Sequence, residues 1–425
     1  MGQVRIILLL VLALTCVGGE RLLAGSGGSI YSAFGLGDLR YAVGTRAAGM
    51  GYAGIGVPGT SYLNALAPGT WGTIDRVRFE ASVSMEGFSS TDGSRSRYLA
   101  RADFAGFLFS LPISRPDRIV FVGGIIPYSA FNYDVYIPDN YTGESDTLDY
   151  LVHHVGTGGI SRALGGISYA PIPTLDLGFS FNVLFGSLND EQSQIPAAAG
   201  YYGGVAYSST RGHGFTISLG GLYSGLGEIT PALKDFTVGF TLTTRGRLKS
   251  SLERNYKYTL AAVSTERDTV AAQTSHIAIP FSWGIGLAYK PSERTTLALD
   301  YAAQPWAQAE INGASPPSLR NSQRVGVGVE FAQSKELYAS FLARLAYRLG
   351  AYYNATYVQT SGTPINEYGV TAGLSLPFSG DSRLNVHGEY ARRGTTDNGL
   401  VADEIFRLSI SLNISTTWFQ TYGEE

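Results

Sequence analysis

Cysteine is almost missing from these 425 residues, and the single one, Cys16, lies in an N-terminal apolar run. Disulfides and thiolate chemistry are therefore excluded for the rest of the chain. Charge is also scarce, at 15% of residues, where a soluble domain carries about a quarter. No stretch is dense in Lys and Arg and the net charge is −3, which argues against nucleic-acid binding. Beyond the N-terminus no apolar run reaches the roughly 18 residues of a membrane-spanning helix. A mean hydropathy of +0.04 is likewise too polar for a helical membrane protein. What the chain has instead is 54 Gly, 27 Tyr and 20 Phe. A membrane β-barrel produces this combination, because half of every strand faces a polar lumen.

The N-terminus, MGQVRIILLLVLALTCVGGERLLAG, places Arg5 before a short apolar run from Ile6 to Val17 and then small residues. Residues 1–24 are expected to be a secretory signal peptide, cleaved after Gly19 or Ala24. Cys16 follows Ala13-Leu14-Thr15, whereas a lipoprotein site wants leucine three residues before the cysteine and a small residue just before it, so lipidation is not expected. Removing residues 1–24 takes Lys+Arg from 31 to 29 and Asp+Glu from 34 to 33, leaving a net charge of −4 and no cysteine.

From Arg76 onward apolar and small or polar residues alternate with period two, the mark of a strand with two unlike faces. In FSWGIGLAYKPSERTTLALDYAAQPW (281–306), Phe281, Trp283, Ile285, Leu287 and Tyr289 alternate with Ser282, Gly284, Gly286, Ala288 and Lys290. The pattern resumes with Leu297, Leu299 and Tyr301 against Ala298 and Asp300. Fourteen such segments are read, from VRFEASVSM (77–85) to FRLSISLNI (406–414). Short turns are expected at SRPD (114–117), PIP (171–173), KPSE (290–293) and SGDS (379–382). Longer polar loops are expected at 139–148, 188–198, 250–275 and 308–320, and two connections, near 225–234 and 333–343, fit less tidily. Short and long connections in turn, with an even strand number, predict an all-β, 14-stranded antiparallel transmembrane β-barrel.

That choice turns the apolar face outward. Ile285, Leu287, Leu297 and Leu299 should meet lipid, and Gly284, Gly286, Ala298 and Asp300 the lumen. Tyr98, Tyr128, Tyr169, Trp283, Tyr289, Tyr301, Trp306 and Trp418 near strand ends would form interfacial girdles. Residues 25–75 are Gly/Ala-rich, too apolar for a disordered tail, and are expected inside the barrel as a hatch. Residues 76–419 then form the barrel and 420–425 a periplasmic tail, with both termini periplasmic.

Few motifs suggest chemistry. Gly49-Met50-Gly51-Tyr52-Ala53-Gly54 fits G-x-G-x-x-G but lacks the strand–helix context of a dinucleotide site. It reads better as backbone folded tightly in a confined lumen. His153 and His154 are neighbours and would point to opposite faces of a strand, so they cannot share a metal. Glu80, Glu86, Arg101, Asp103, Arg324, Glu330, Arg344, Arg348, His387 and Glu389 fall mostly on the polar phase and are expected to form lumen charge pairs. No enzymatic site, cofactor or metal is expected. In the third segment, RIVFVGGIIPYSAF (118–131), Gly123, Gly124 and Pro127 interrupt the pattern, which implies a bulge or kink.

With these features the chain resembles the FadL family of outer-membrane transport proteins. The resemblance rests on RAAGMGYAGIGVPGTSYLNALAPGTW (46–71), similar to that family's hatch, and on IPFSWGIGLAYKPSERTTLALDYAAQPW (279–306), similar to its late hairpin. At Asn64-Ala65-Leu66-Ala67-Pro68-Gly69 the chain departs from the family's Asn-Pro-Ala triplet, and its C-terminal half looks like a separate branch. The resemblance implies passive uptake of hydrophobic small molecules, such as long-chain fatty acids, across the bacterial outer membrane. Phe34, Leu36, Met50, Tyr52, Ile55 and Val57 would bind ligand, and Gly123, Gly124, Pro127 and Tyr128 would form a lateral opening to lipid. The alternative is a non-transporting barrel partnered with other proteins in an outer-membrane assembly or secretion complex, motivated by the divergent C-terminal half.

Overall fold

The computed structural model describes residues 25–416 apart from 42–43, 60, 143–146, 198–202, 261–262, 312, 335 and 337. The expected signal peptide, Cys16, Trp418 and the C-terminal tail lie outside the described residues. Short strands β1 (Gly25–Ser26) and β2 (Asp38–Leu39) precede the wall. The wall comprises β3 (Val77–Thr91), β4 (Ser96–Ser114), a broken third strand, β8 (Thr147–Ile172), β9 (Leu175–Pro196) and β10 (Gly203–Tyr223). The third strand is divided into β5 (Ile119–Pro127), β6 (Ser129–Ala130) and β7 (Tyr133–Thr142). Then follow β11 (Phe236–Thr243) with β12 (Gly246–Leu260), β13 (Val263–Ile279) with β14 (Ser282–Tyr289), and β15 (Thr295–Gln304), with β16 (Glu310–Ile311) beyond it. The last are β17 (Ser322–Phe331), β18 (Ala346–Thr360), β19 (Thr363–Ser379), β20 (Ser382–Gly394) and β21 (Ala402–Thr416). Neighbours are antiparallel, and β21 pairs with β3 from Ala402↔Thr91 to Thr416↔Val77. The result is a closed antiparallel barrel of fourteen strands.

The outward face is apolar as the alternation predicts. Ile285, Leu287, Leu297 and Leu299 are exposed, while Gly284, Gly286, Ala298 and Asp300 are buried inside. Trp283 and Tyr169 also face outward, whereas Trp306 is fully buried and stacks at 4.6 Å on Tyr357. Pro305 ends the strand just before Trp306, so the period-two phase no longer fixes its direction. Tyr128 likewise turns inward, under the Arg162 guanidinium at 4.9 Å.

The turns at one end are short, with two larger lobes at 224–235 and 332–345. At the other end the polar segments expected as loops are largely strand. Residues 139–142, 188–196 and 250–260 continue the β7, β9 and β12 ladders. Once a hairpin passes the apolar band, neither face needs to be apolar, and the strand looks like a loop in sequence. Arg344, expected on the lumen face, lies in the 332–345 lobe and donates to the Ala339 carbonyl.

Candidate functional site

The described residues between 29 and 74 sit inside the cylinder and meet its wall largely backbone to backbone. Gly51 has φ +65°, and a Cβ there would lie 2.3 Å from the Ala351 carbonyl oxygen of β18. At Gly69 a Cβ would lie 2.5 Å from the Gly221 carbonyl carbon of β10. Such contact is open only to glycine, which accounts for Gly51 at the centre of the G-x-G-x-x-G run without any nucleotide. Met50 and Val57 complete this seam, packed on Ala288 and Ala298.

Ion pairs then tie the hatch to the wall. Arg40 reaches both oxygens of Glu86, which also accepts from Arg101 at 2.8 Å and Arg407 at 3.1 Å. Burial alone would weaken the Arg40 guanidinium, but the charge and hydrogen bond of Glu86 prevail and raise its pKa. Arg46 and Arg348 share Glu330, and Asp38 pairs with Arg393 at 2.7 Å. The backbone N–H groups of Gly54 and Ile55 donate to Asp300 Oδ2 at 2.7 and 2.8 Å. Tyr52 donates to Glu389 at 2.5 Å. Buried charges are stable only when paired and hydrogen-bonded, and most of those here are.

Two larger cavities lie between the described parts of hatch and wall. The larger, about 410 Å³, has a charged lining that includes Arg40, Glu86, Glu367, Arg393 and Arg407. The second, about 140 Å³, mixes Leu39, Ile55, Leu184 and Trp283 with Arg162 and Arg324. Arg162 is nine-tenths buried, and among the described residues no carboxylate lies within ion-pair distance of either arginine. Arg324 instead stacks over the rings of Tyr41 and Tyr52 at 4.6 and 5.6 Å.

The larger cavity reaches the wall where the third strand breaks. The β4–β5 ladder stops at Phe107↔Ile125. Beyond it the chain bends inward, and Ser129 and Ala130 pair with Leu39 and Asp38 of the hatch. Arg40 N–H donates to the Tyr128 carbonyl at 2.9 Å. A Pro at the end of β5 cannot donate to the β4 ladder, so the departure costs no hydrogen bond at that residue. The gap between β4 and the bent strand is bordered by Phe104 and Ala105 on one side and Pro127, Ser129, Ala130 and Asn132 on the other. Farther along, Arg97 crosses from β4 to Asp134 of β7.

The sequence-predicted site residues fall in separate places. Tyr52 borders both larger cavities and Ile55 the smaller of them. Leu36 is fully buried, with Phe34 against the same cluster of Tyr31, Phe131 and Tyr357. Met50 and Val57 border only a recess of about 20 Å³. Of the four kink residues, Pro127 borders the larger cavity and Tyr128 the smaller. Gly123 and Gly124 lie within the paired part of β5. Sequence reasoning missed Ala105, Arg97, Asp134 and Arg162, whose partners come from distant strands.

The fold is similar to that of TodX, the toluene transporter of Pseudomonas putida, at 16% identity and TM-score 0.57, over 90% of this chain and 100% of that one. The Ralstonia pickettii toluene transporter TbuX is 14% identical with TM-score 0.57, over 88% and 98%. A Pseudomonas aeruginosa FadL homologue is 12% identical with TM-score 0.56, over the same shares. At such identities the likeness concerns the fold. A fourteen-stranded cylinder closed by an internal hatch and broken in its third strand thus has a FadL-like β-barrel fold. Compared with curated proteins, the sequence matches none. Residues 4–422 match the BamG family, and the chain belongs to it.

Proposed function

We propose that the barrel admits small hydrophobic or amphipathic molecules passively, from the cavity between hatch and wall sideways through the gap beside Ala105. The observation that carries this reading is the continuity of the larger cavity with Phe104, Ala105, Pro127, Ser129, Ala130 and Asn132 at the wall. The charged lining and Arg162, which borders the smaller cavity without a carboxylate partner, favour a compound with a polar or anionic head over a bare hydrocarbon. In this reading residues 25–75 are the hatch, 76–419 the barrel, and the short-turn end with both termini faces the periplasm. Tyr52 and Ile55 contact the ligand, Phe34, Leu36, Met50 and Val57 shape the hatch around it, and Gly123, Gly124, Pro127 and Tyr128 set the bend of the opening. No covalent chemistry or cofactor is involved. The test is uptake of labelled oleate and of toluene by cells making the wild-type protein or Ala105→Trp. Uptake that the bulky side chain abolishes supports the lateral route, and equal uptake by both, or by cells lacking the protein, removes it.

A second reading, a partner barrel in an outer-membrane assembly, is favoured by membership of the BamG family and by the lobes at the short-turn end. Ile229, Leu233, Tyr338, Phe341 and Leu342 are exposed there. The two lobes are tied to the turn between them by Lys290 N–H to the Asp235 carbonyl at 2.9 Å and Ala332 N–H to the Arg294 carbonyl at 2.6 Å. Exposed apolar side chains on two lobes tied to one turn suit a protein contact.

A further inference from the structure

The gap in the wall is not empty along its whole height. Gly25 and Ser26 pair in parallel with Leu99 and Ala100, on the edge of β4 that β7 leaves free. The next two residues are wedged between both sides. A Cβ at Gly27 would lie 3.2 Å from Asp134 Cβ and 3.4 Å from Leu99 Cδ1. At Gly28 it would lie 2.8 Å from the Asn132 carbonyl oxygen and 3.3 Å from Arg101 Nη1. Gly28 is therefore the point at which no larger residue fits without moving backbone. Below the wedge the segment is tied inside the barrel. Ser29 donates to the Asp403 carboxylate, Tyr31 to the Val401 carbonyl, and Ser32 to the Asn132 carbonyl at 2.5 Å. Burial and the Asp403 charge push the Tyr31 phenol up to about 12, so it stays a donor at any physiological pH.

From this placement we infer that residues 25–29 are a strap that closes the upper part of the lateral gap by borrowing the free edge of β4. Two ladder residues and two glycines hold its outer end, and an unpaired strand edge facing lipid would otherwise be costly. Below the strap the larger cavity still reaches the wall between Ala105 and Asn132. Displacing it exposes the full gap, so the width of the sideways path is set by this segment of the chain itself. The functional consequence rests on the lateral route proposed above, whereas the strap's position does not.

Two measurements on the intact protein in outer membranes test this. Gly27→Cys combined with Asp134→Cys should oxidise to an intramolecular disulfide, since about 3.5–4.5 Å between Cβ atoms is the bridging distance and the present spacing needs a shift of only a few tenths of an ångström. In a separate Leu99→Cys background, at a position buried against Gly27, Gly28→Leu should expel the strap, with heat-modifiable gel migration verifying that the barrel is folded. Labelling of the thiol at position 99 by pyrene maleimide dissolved in the bilayer should then rise roughly tenfold, because reactivity follows the fraction of molecules in the accessible state. A folded Gly27→Cys/Asp134→Cys protein that forms no disulfide overturns the strap. So does an equal labelling rate with and without Gly28→Leu. Both readouts are independent of oleate or toluene uptake, so a failure of the uptake reading leaves the strap standing, and the reverse.

Discussion

Arg46 in the hatch and Glu330 in β17 form a two-point ion pair, with Nε 3.0 Å from Oε2 and Nη2 2.6 Å from Oε1. Arg348 of β18 donates to the same carboxylate at 2.6 Å. Removing the acid would leave two arginines facing each other in a buried site. Glu330→Gln should therefore cost about 3–5 kcal/mol, the range for an uncompensated buried charge. Urea unfolding of the protein in lipid vesicles measures this, and Arg46→Met combined with Glu330→Gln should recover part of the loss.

Gly51 tests the backbone seam between hatch and wall. Gly51→Val places a β-branched residue at φ +65° and drives its Cβ into the Ala351 carbonyl. The positive φ alone costs about 1–3 kcal/mol, and the clash adds to it. The wall, held by its own ladder, should survive while the hatch comes loose. Limited trypsinolysis should then cut after Arg40 or Arg46 in the variant and not in the wild type.

Leu299 and Asp300 are neighbours on β15 that point to opposite sides, Leu299 outward and Asp300 to the Gly54 and Ile55 amides. Leu299→Arg should destabilise by about 2–4 kcal/mol if the residue lies near the bilayer midplane. Asp300→Asn should leave the wall intact and release the hatch, seen as a gain in hatch proteolysis. A neutral Leu299→Arg would mean that the lipid face has been assigned inside out.

Arg97 and Asp134 clasp the gap above the strap, at 3.1 Å between Nη1 and Oδ1. Arg97 is partly exposed, so the pair itself is worth at most about 1 kcal/mol. Arg97→Ala should accordingly leave the unfolding midpoint of the barrel almost unchanged. It should nonetheless speed bilayer-side labelling of a thiol at position 99, because the clasp is one of the contacts crossing the gap.

Much of this architecture is legible in the sequence because a barrel wall is a local pattern. Ile285, Leu287, Leu297 and Leu299 declare their face by period two alone, and Glu86, Arg101, Glu330 and Arg348 fall on the other phase and do pair in the lumen. The pattern fails where that physics stops applying. Beyond the apolar band the β9–β10 and β12–β13 hairpins alternate nothing and read as loops. Trp306 follows a proline and turns inward, although its strand predicts the opposite. The cavity and the gap were only partly legible. Pro127 marks the bend, but the charged lining is assembled from Arg40, Glu86, Glu367 and Arg407, which are hundreds of residues apart in part. Nothing in Gly25-Ser26-Gly27-Gly28-Ser29 suggests a strand, since its neighbour at Leu99 and Ala100 is set by closure of the whole cylinder.

In the proposed function the space between hatch and wall serves a small molecule. Native mass spectrometry of protein released gently from outer membranes addresses it most directly. The account predicts a monomer carrying a bound amphipathic compound of low mass, which Ala105→Trp or filling of the cavity at Tyr52 removes. A barrel that carries no small molecule and comes off in a fixed ratio with another protein would contradict it.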